Sequence, residues 1–312
     1  MTATAAMIGA GLIGRSWAMV FARAGWQVRL YDSVPAQLES AREHIETGLV
    51  EQQAYGLADD AAAAFARIGY VDDLDAALSG VDWVQENAPE ILAVKQALYP
   101  RIDRATAPTA IIASSTSAIP ASQFTEALAG RARCLVAHPV NPPHLVPIVE
   151  LCGAPWTDAA TVERARAVMT GIGQVPITVK RELEGFILNR LQGALLSEAL
   201  RLVGEGYVSP QDLDKTVQDG LGLRWSFIGP FATIELNAPG GVADYCARYG
   251  GIYRAVAADP PAPTVWDAAN VERVAAQLDA LTPEERDARM RWRDARLLAL
   301  RRHKREASDS DQ

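Results

Sequence analysis

The feature of this sequence that most constrains its fold is a glycine-rich turn between a short apolar strand and an amphipathic helix. Gly9, Gly11 and Gly14 form a G-x-G-x-x-G pattern, and Asp32 ends the next predicted strand. The first glycine permits a tight turn, the second lets a pyrophosphate approach the backbone, and the third lets the helix pack closely on the strand. The phosphates then rest at the positive end of the helix. This order of elements predicts a dinucleotide-binding site.

Asp32 also indicates which nicotinamide dinucleotide to expect. Its carboxylate would accept hydrogen bonds from the ribose hydroxyls of the adenosine half and would repel a 2′-phosphate. No Arg or Lys occurs in the following residues 33–36, so a 2′-phosphate would find no cation there. We therefore expect NAD rather than NADP. The residues expected to hold it are Gly9, Gly11, Leu12, Ile13, Gly14 and Asp32.

Strands and helices alternate along the first part of the chain, and the alternation ends near residue 180. This pattern predicts an α/β fold with a Rossmann-type, doubly wound, mostly parallel sheet. Beyond it we expect only helices, with an apolar helix over residues 185–203 and a last helix that begins at Pro283 with a capping box. The predicted domains are an NAD-binding domain, residues 1–181, and a helical substrate and dimerisation domain, residues 182–312. Strands are predicted at residues 5–8, 28–31, 83–85, 110–113, 134–137, 148–151 and 177–179.

Charge and cysteine usage exclude several classes of function. The net charge of −8 argues against a nucleic-acid partner, and it means that an anionic substrate must meet a local cation. Cys134, Cys152 and Cys246 are too widely spaced for a metal site and suggest reduced thiols in the cytoplasm. We see no signal peptide and no apolar run of the roughly 20 residues that a membrane span needs.

His138 and Glu150 are the candidate catalytic groups. His138 follows the apolar strand 134–137, and the next predicted strand carries Glu150. An imidazole titrates near neutral pH, and a carboxylate on its other nitrogen fixes the tautomer and raises the basicity. A histidine at a strand end beside an unrelated glutamate is the other interpretation, and these two residues alone leave both open.

Ser117 ends a run of hydroxyl residues that follows the strand 110–113. Ligands of open parallel sheets bind at the carboxyl ends of the strands, so Ser117 is a candidate to bind a substrate hydroxyl or the nicotinamide. It could equally cap a helix that begins near Pro120. No G-x-S-x-G pattern surrounds it, so we do not expect a serine hydrolase.

These motifs together resemble the 3-hydroxyacyl-CoA dehydrogenase family. The resemblance is carried by Ser117, by His138-Pro139-Val140-Asn141-Pro142, by Glu150 and by Gly185-Phe186-Ile187-Leu188-Asn189-Arg190. Within the family, residues 14–19, 137–143, 189–192 and 227–230 most resemble the branch of L-gulonate 3-dehydrogenase and lambda-crystallin.

The resemblance implies a role for each motif residue. His138 is implied to take the proton of a substrate hydroxyl while the hydride leaves for NAD, and Glu150 to orient His138. Ser117 and Asn189 are implied to hold the substrate oxygen. The family also implies a homodimer. Residues that are implied to line the cofactor are Glu90, Lys95, Ser117 and Asn141.

The substrate has to be inferred from charge. A CoA thioester needs cations for its phosphates, but acids dominate residues 39–67 and the whole chain has four lysines. Arg224 is the candidate for binding a small carboxylate bidentately, although a surface salt bridge is the alternative. We therefore expect an NAD-dependent dehydrogenase that oxidises the C3 hydroxyl of a small anionic hydroxy acid, L-gulonate. Trp225, which we expect in the core, would instead favour L-carnitine if it faced a quaternary ammonium. A 3-hydroxybutyryl-CoA dehydrogenase and a lens-type structural protein are the remaining alternatives.

Overall fold

A computed structural model of the chain describes residues 2–310, which form two compact units. One unit comprises residues 2–189 and 285–310, and the other comprises Arg190–Glu284. The last helix is therefore grouped with the first unit, although the sequence analysis placed it in the helical domain. The predicted domain boundary after residue 181 stays a prediction. Within residues 2–310, no helix combines the length and apolar character of a membrane span.

In the described part of the chain, eight strands form one sheet in the order β3-β2-β1-β4-β5-β6-β7-β8. All neighbouring pairs are parallel except β6 and β7, which are antiparallel. The predicted α/β fold with a mostly parallel sheet is confirmed. The strands are β1 Thr4–Ile8, β2 Gln27–Tyr31, β3 Ile68–Val71, β4 Trp83–Glu86, β5 Ile111–Ser114, β6 Cys134–Pro139, β7 Ile148–Gly153 and β8 Val175–Val179. The short link of residues 140–147 between β6 and β7 explains their antiparallel pairing, because a parallel crossover needs a dozen residues or more.

Helices cover both faces of this sheet and also make up the second unit. The helices are α1 Leu12–Arg23, α2 Pro35–Ala54, α3 Ala61–Ala66, α4 Leu74–Leu78, α5 Leu92–Ala105, α6 Ser122–Thr125, α7 Ala159–Gly171, α8 Leu188–Gly204, α9 Pro210–Lys215, α10 Leu223–Trp225, α11 Pro230–Leu236, α12 Gly241–Ala257, α13 Ala268–Ala275 and α14 Pro283–Ser310.

The sheet is buried on both faces because alternate residues of each strand enter two different cores. In β1, Ala5 and Met7 join one core and Ala6 and Ile8 join the other. This two-sided burial explains why the strands are continuously apolar rather than alternating. The candidate site lies at the carboxyl ends of these strands, so packing on both faces of the sheet fixes its position.

Helix α8 begins later than the sequence analysis predicted. The prediction started the helix at residue 185, but Gly185 and Phe186 have φ angles of +73° and +45°, which a right-handed helix does not allow. The helix therefore starts at Leu188. Helix α2 and strand β3 were missed altogether. The apolar residues of α2 are few and scattered among acids, so its helical periodicity is weak.

The second unit buries few large side chains. Val203, Pro210, Ala238 and Val265 are its buried apolar residues among those described. Large apolar patches exposed to water usually mark an interaction surface. Six large apolar side chains of this unit are between 63% and 75% exposed, namely Leu191, Tyr207, Leu223, Phe231, Leu236 and Ile252.

Candidate active site

The glycine turn has the geometry that phosphate binding requires. Gly9 has a φ of +100°, and a Cβ there would lie 2.8 Å from the carbonyl oxygen of Asn87. A Cβ on Gly14 would lie 1.8 Å from the carbonyl oxygen of Gly9, so only glycine allows α1 to pack this closely. A Cβ on Gly11 would meet no atom within 4 Å. Gly11 provides no side-chain cap for α1, so the first amides of the helix are available to a phosphate.

Asp32 follows β2, and each of its two carboxylate oxygens accepts a hydrogen bond from a backbone amide. Its Oδ2 accepts a hydrogen bond of 2.8 Å from the amide of Ala10, inside the glycine turn. Its Oδ1 accepts one of 3.0 Å from the amide of Val34. A carboxylate offers about four lone-pair positions, so both oxygens can still accept hydroxyls of a ribose. Asp32 therefore also holds the glycine turn in place.

His138 and Glu150 face each other directly across the antiparallel β6–β7 pair. The His138 Nδ1 donates a hydrogen bond of 2.7 Å to the Glu150 Oε2, and both side chains are buried. This bond places the proton on Nδ1 and leaves Nε2 as the basic nitrogen. Glu150 lies inside β7, on the strand that was predicted to carry it. The two residues meet because the strands run in opposite directions and are in register.

The start of α8 holds Glu150 from its other side. The Glu150 Oε1 accepts hydrogen bonds of 2.8 Å and 3.0 Å from the amides of Ile187 and Leu188. The left-handed conformation of Phe186 precedes these two amides, and its buried ring lies 5.5 Å from the His138 ring. Burial raises the pKa of Glu150, but the bonds from His138 and from the two amides outweigh burial, and the pKa lies below its ordinary value. Glu150 is therefore ionised wherever His138 acts as a base.

Ser117 and Asn189 lie next to each other. The Asn189 Nδ2 donates a hydrogen bond of 2.9 Å to the carbonyl oxygen of Ser117. Ser117 belongs to the segment that follows β5, and Asn189 lies in the first turn of α8, which also binds Glu150. The structure therefore connects Ser117, Asn189, Glu150 and His138 through one helix start. The predicted roles of these four residues stay predictions.

Glu90 holds the Ser117 segment through a single oxygen. Its Oε1 accepts hydrogen bonds of 2.6 Å from the Thr116 hydroxyl, 2.9 Å from the Ser117 amide and 3.0 Å from the Ala118 amide. Burial raises the pKa of Glu90, but the Thr116 hydroxyl, Lys95 and the two amides outweigh it and lower the pKa. Glu90 thus has a structural task in addition to its predicted place beside the cofactor.

Lys95 is buried and ion-paired. Its Nζ lies 3.0 Å from both carboxylate oxygens of Glu86 and 3.6 Å from the Glu90 Oε2. The Ser114 hydroxyl also donates to the Glu86 Oε2, at 2.6 Å. A buried charge needs such a partner, and the sequence analysis did not name Glu86. An acidic residue at the end of the apolar strand β4 was the signal that could have revealed it.

Three further predicted residues are exposed. Asn141 is exposed in the link between β6 and β7. Arg224 is exposed on α10, in the second unit. Trp225, expected in the core, is 41% exposed because the second unit buries little apolar surface. Among the described residues, no three His, Cys, Asp or Glu side chains gather as metal ligands.

Comparison with known proteins identifies the family. The model of the 3-hydroxyacyl-CoA dehydrogenase NAD binding domain matches residues 4–182, and the model of the C-terminal domain of the same family matches residues 185–277. This chain belongs to the 3-hydroxyacyl-CoA dehydrogenase family. The predicted family, the NAD cofactor and the class of enzyme, an NAD-dependent dehydrogenase, are thereby confirmed.

Three relatives show how the family varies around this chain. Lambda-crystallin of Oryctolagus cuniculus is 41% identical over 307 residues, which cover 96% of both chains. An L-carnitine dehydrogenase of a Pseudomonas species is 35% identical, covering 95% of this chain and 92% of that protein. A solved structure of an NAD+-dependent dismutase, 5-formyl-3-hydroxy-2-methylpyridine 4-carboxylic acid 5-dehydrogenase, has a TM-score of 0.84 at 32% identity and covers 97% of this chain and 98% of its own. Members of similar sequence therefore carry different names and different substrates.

Proposed function

We propose that this protein oxidises the C3 hydroxyl of a small hydroxy acid, L-gulonate, to 3-dehydro-L-gulonate with NAD as acceptor. The observation that carries the proposal is the buried His138–Glu150 pair, whose carboxylate is fixed on its far side by the amides of Ile187 and Leu188. Such a base, held in one tautomer at the same carboxyl edge of the sheet as the dinucleotide turn, suits proton abstraction from an alcohol.

In this mechanism the Nε2 of His138 takes the hydroxyl proton. The carboxylate of Glu150 stabilises the imidazolium that results, because it accepts the Nδ1 proton at 2.7 Å. Bound NAD supplies the hydride acceptor. Ser117 and Asn189 hold the substrate oxygen, and the bond from Asn189 to the Ser117 carbonyl keeps the two side by side.

Charge supports a small acid over a CoA thioester. The side chains of Glu39, Glu43, Glu46 and Glu51 all lie on α2, where Arg42 is the single Arg or Lys. These carboxylates would repel the phosphates of CoA at short range. We propose that Arg224, exposed on α10, binds the substrate carboxylate instead, because a guanidinium offers a bidentate fork.

L-Carnitine is the second candidate substrate. Trp225 is 41% exposed beside Arg224 in the sequence, and an accessible indole ring attracts a quaternary ammonium. The identity to L-carnitine dehydrogenases points the same way. Both candidates have a carboxylate for Arg224, so they differ in what Trp225 contributes.

A substrate panel tests the proposal. NADH formation is measured by absorbance with L-gulonate, L-carnitine, 3-hydroxybutyrate and 3-hydroxybutyryl-CoA. We expect the highest kcat/KM with L-gulonate. A preference for L-carnitine would select the second candidate, a preference for the CoA thioester would overturn the small-acid assignment, and no turnover with any of them would favour a structural role.

The variant Arg224→Gln sharpens this panel. It should raise KM for L-gulonate by about 10-fold or more, because one charge-assisted hydrogen-bond pair is lost. Arg254→Gln is the matched control, since it removes the same charge from an exposed position of α12 in the same unit. Equal effects of both variants would contradict a direct carboxylate contact.

We also propose a homodimer in the cytoplasm. The exposed apolar side chains of the second unit, such as Phe231 and Leu236 at 75% exposure each, support a second copy as the partner that covers them. The three free thiols fit a reducing compartment. Sedimentation at micromolar concentration should give a dimer mass, and cell fractionation should place the activity in the cytoplasm. A monomer mass or a membrane-bound activity would contradict these assignments.

A further inference from the structure

A cavity of about 540 Å³ lies beside the glycine turn, within the first unit. Helix α1 contributes Leu12 and Arg15 to it, and the β6–β7 link contributes Asn141. Helices α2 and α14 form the remaining walls. This volume is in the range of small-molecule sites. The cavity therefore adjoins the place where the family binds its dinucleotide. One of its lining side chains is a cation for which the sequence suggested no role.

That cation is Arg15, in the first turn of α1. Arg15 lines the cavity together with Leu12, the first residue of α1. Side chains of a helix lean towards its N-terminus, so we expect this guanidinium on the side of the amides that receive the phosphates. Arg15 is partly buried, and among the described residues its guanidinium has no hydrogen-bond or ion-pair partner. Burial lowers its pKa, so the folded protein holds this charge at a cost that an anion would offset.

Further arginines from α1 and α14 surround His144, a lining residue of the cavity, with positive charge. Arg23 and Arg301 both donate to the carbonyl oxygen of His144, at 3.1 Å and 3.0 Å. Burial, together with the charges of Arg23, Arg15, Arg301 and Arg293, lowers the pKa of His144 to about 3. His144 is therefore neutral at physiological pH. A group of positive charges with this spacing raises the local concentration of anions.

The acids of the cavity belong to other walls. Glu43 and Glu51 lie on α2, and Asp287 and Asp294 lie on α14. Asp294 is paired with Arg293 at 2.7 Å. The wall that α1 and the β6–β7 link form has no acidic lining residue. An anion in the cavity would therefore settle against α1.

We propose that Arg15 binds the pyrophosphate of NAD and is a cofactor-binding residue of this enzyme. The guanidinium bonds an oxygen of the diphosphate that rests on the amides at the start of α1, and it closes the diphosphate from the cavity side. Guanidinium and phosphate make strong, charge-assisted hydrogen bonds. A carboxylate of the substrate is the other anion that could reach this cation, and the experiment separates the two.

The test measures binding in the absence of any hydroxy acid. Calorimetry gives the Kd of ADP-ribose, which has the diphosphate, and of adenosine, which lacks it. We expect Arg15→Gln to weaken ADP-ribose binding about 10-fold or more and to leave adenosine unchanged. Arg15→Lys keeps the charge without the fork, so its loss should be smaller. Arg291→Gln is the control, because it removes the same charge from the α14 wall of the same cavity.

Two results would overturn the proposal. The first is an unchanged Kd for ADP-ribose in Arg15→Gln; a raised KM for the hydroxy acid in that variant would then assign Arg15 to the substrate carboxylate. The second is an equal loss in Arg291→Gln, which would indicate a general electrostatic field instead of a contact. If Arg15→Gln does not fold, Arg15→Lys decides by the same comparison of ADP-ribose and adenosine. A failure to oxidise L-gulonate leaves this comparison intact, because its two ligands are only parts of the cofactor.

Discussion

Two glutamates of the candidate site, Glu150 and Glu90, bind backbone amides through one carboxylate oxygen and face another side chain with the other. The difference between their second partners shows that the two carboxylates have different tasks. Each accepts backbone hydrogen bonds in its Oε1, and each has a pKa below the ordinary value. The Oε2 of Glu150 bonds the imidazole of His138, whereas the Oε2 of Glu90 lies 3.6 Å from Lys95. One carboxylate therefore acts on the base itself, and the other acts on the segment that carries Ser117.

The two residues also differ in exposure. The side chain of Glu150 is 1% exposed, and that of Glu90 is 38% exposed. A buried charge has no water to replace a lost partner, whereas an exposed one does. We expect mutations in the His138–Glu150 pair to cost far more activity than mutations at Glu90.

The largest effect is expected for His138→Ala. Loss of a general base typically reduces turnover by about 10²–10⁴-fold, and we expect kcat to fall in this range while the Kd of NADH changes little. Steady-state kinetics and NADH fluorescence titration measure the two quantities. His303→Ala at an exposed position of α14 is the control and should keep wild-type kcat. A kcat near wild type in His138→Ala would remove His138 from the mechanism.

Glu150→Gln should come next, with a loss of kcat on the order of 10²-fold. The glutamine can still accept the amides of Ile187 and Leu188, but its NH₂ group would then face the His138 Nδ1. A donor at this position forces the imidazole proton onto Nε2, the nitrogen that must accept the substrate proton. NMR of the imidazole nitrogens would detect the change of tautomer. An unchanged tautomer with full activity would contradict the orienting role of Glu150.

The same variant has a consequence for stability. Because the folded pKa of Glu150 is lowered, its carboxylate stabilises the fold at pH values above its ordinary pKa of 4.5. This contribution is lost as the pH falls through the lowered pKa. Urea unfolding should therefore show wild type more stable than Glu150→Gln at pH 7, and the difference should shrink towards pH 3. A difference that is constant with pH would show that charge is not its cause.

The sequence predicts the His138–Glu150 pair much better than it predicts the surroundings of Glu90. His138 and Glu150 were found because each lies on an apolar strand and the motif around His138 is specific. Their pairing as a base and its orienting carboxylate was expected, but the antiparallel register of β6 and β7 that produces it was not predicted. Nor does periodicity reveal the left-handed conformation of Phe186, which positions two amides. Conformations of this kind are set by tertiary packing and not by local preference.

The Glu90 region was harder for a different reason. Lys95 and Glu90 are expected beside the cofactor because of the family resemblance, and this stays a prediction. The structure adds that Lys95 is buried against Glu86, which was not predicted. The two partners come from different elements, Glu86 from β4 and Lys95 from α5. A sequence contains no signal that pairs two such charges, because the pairing follows from how a helix folds back on its strand.

The smallest effect is expected for Glu90→Gln, a fall in kcat/KM of about 10-fold or less. The glutamine oxygen can still accept the amides of Ser117 and Ala118, and water can reach the exposed side chain, so only the charge is lost. Because Ser117 is held less firmly, we expect the fall mainly in KM for the hydroxy acid. Glu39→Gln on the exposed side of α2 is the matched control, with wild-type kinetics expected. If Glu90→Gln lost as much kcat as Glu150→Gln, both carboxylates would act on the chemical step, and the distinction between orienting the base and holding Ser117 would fail.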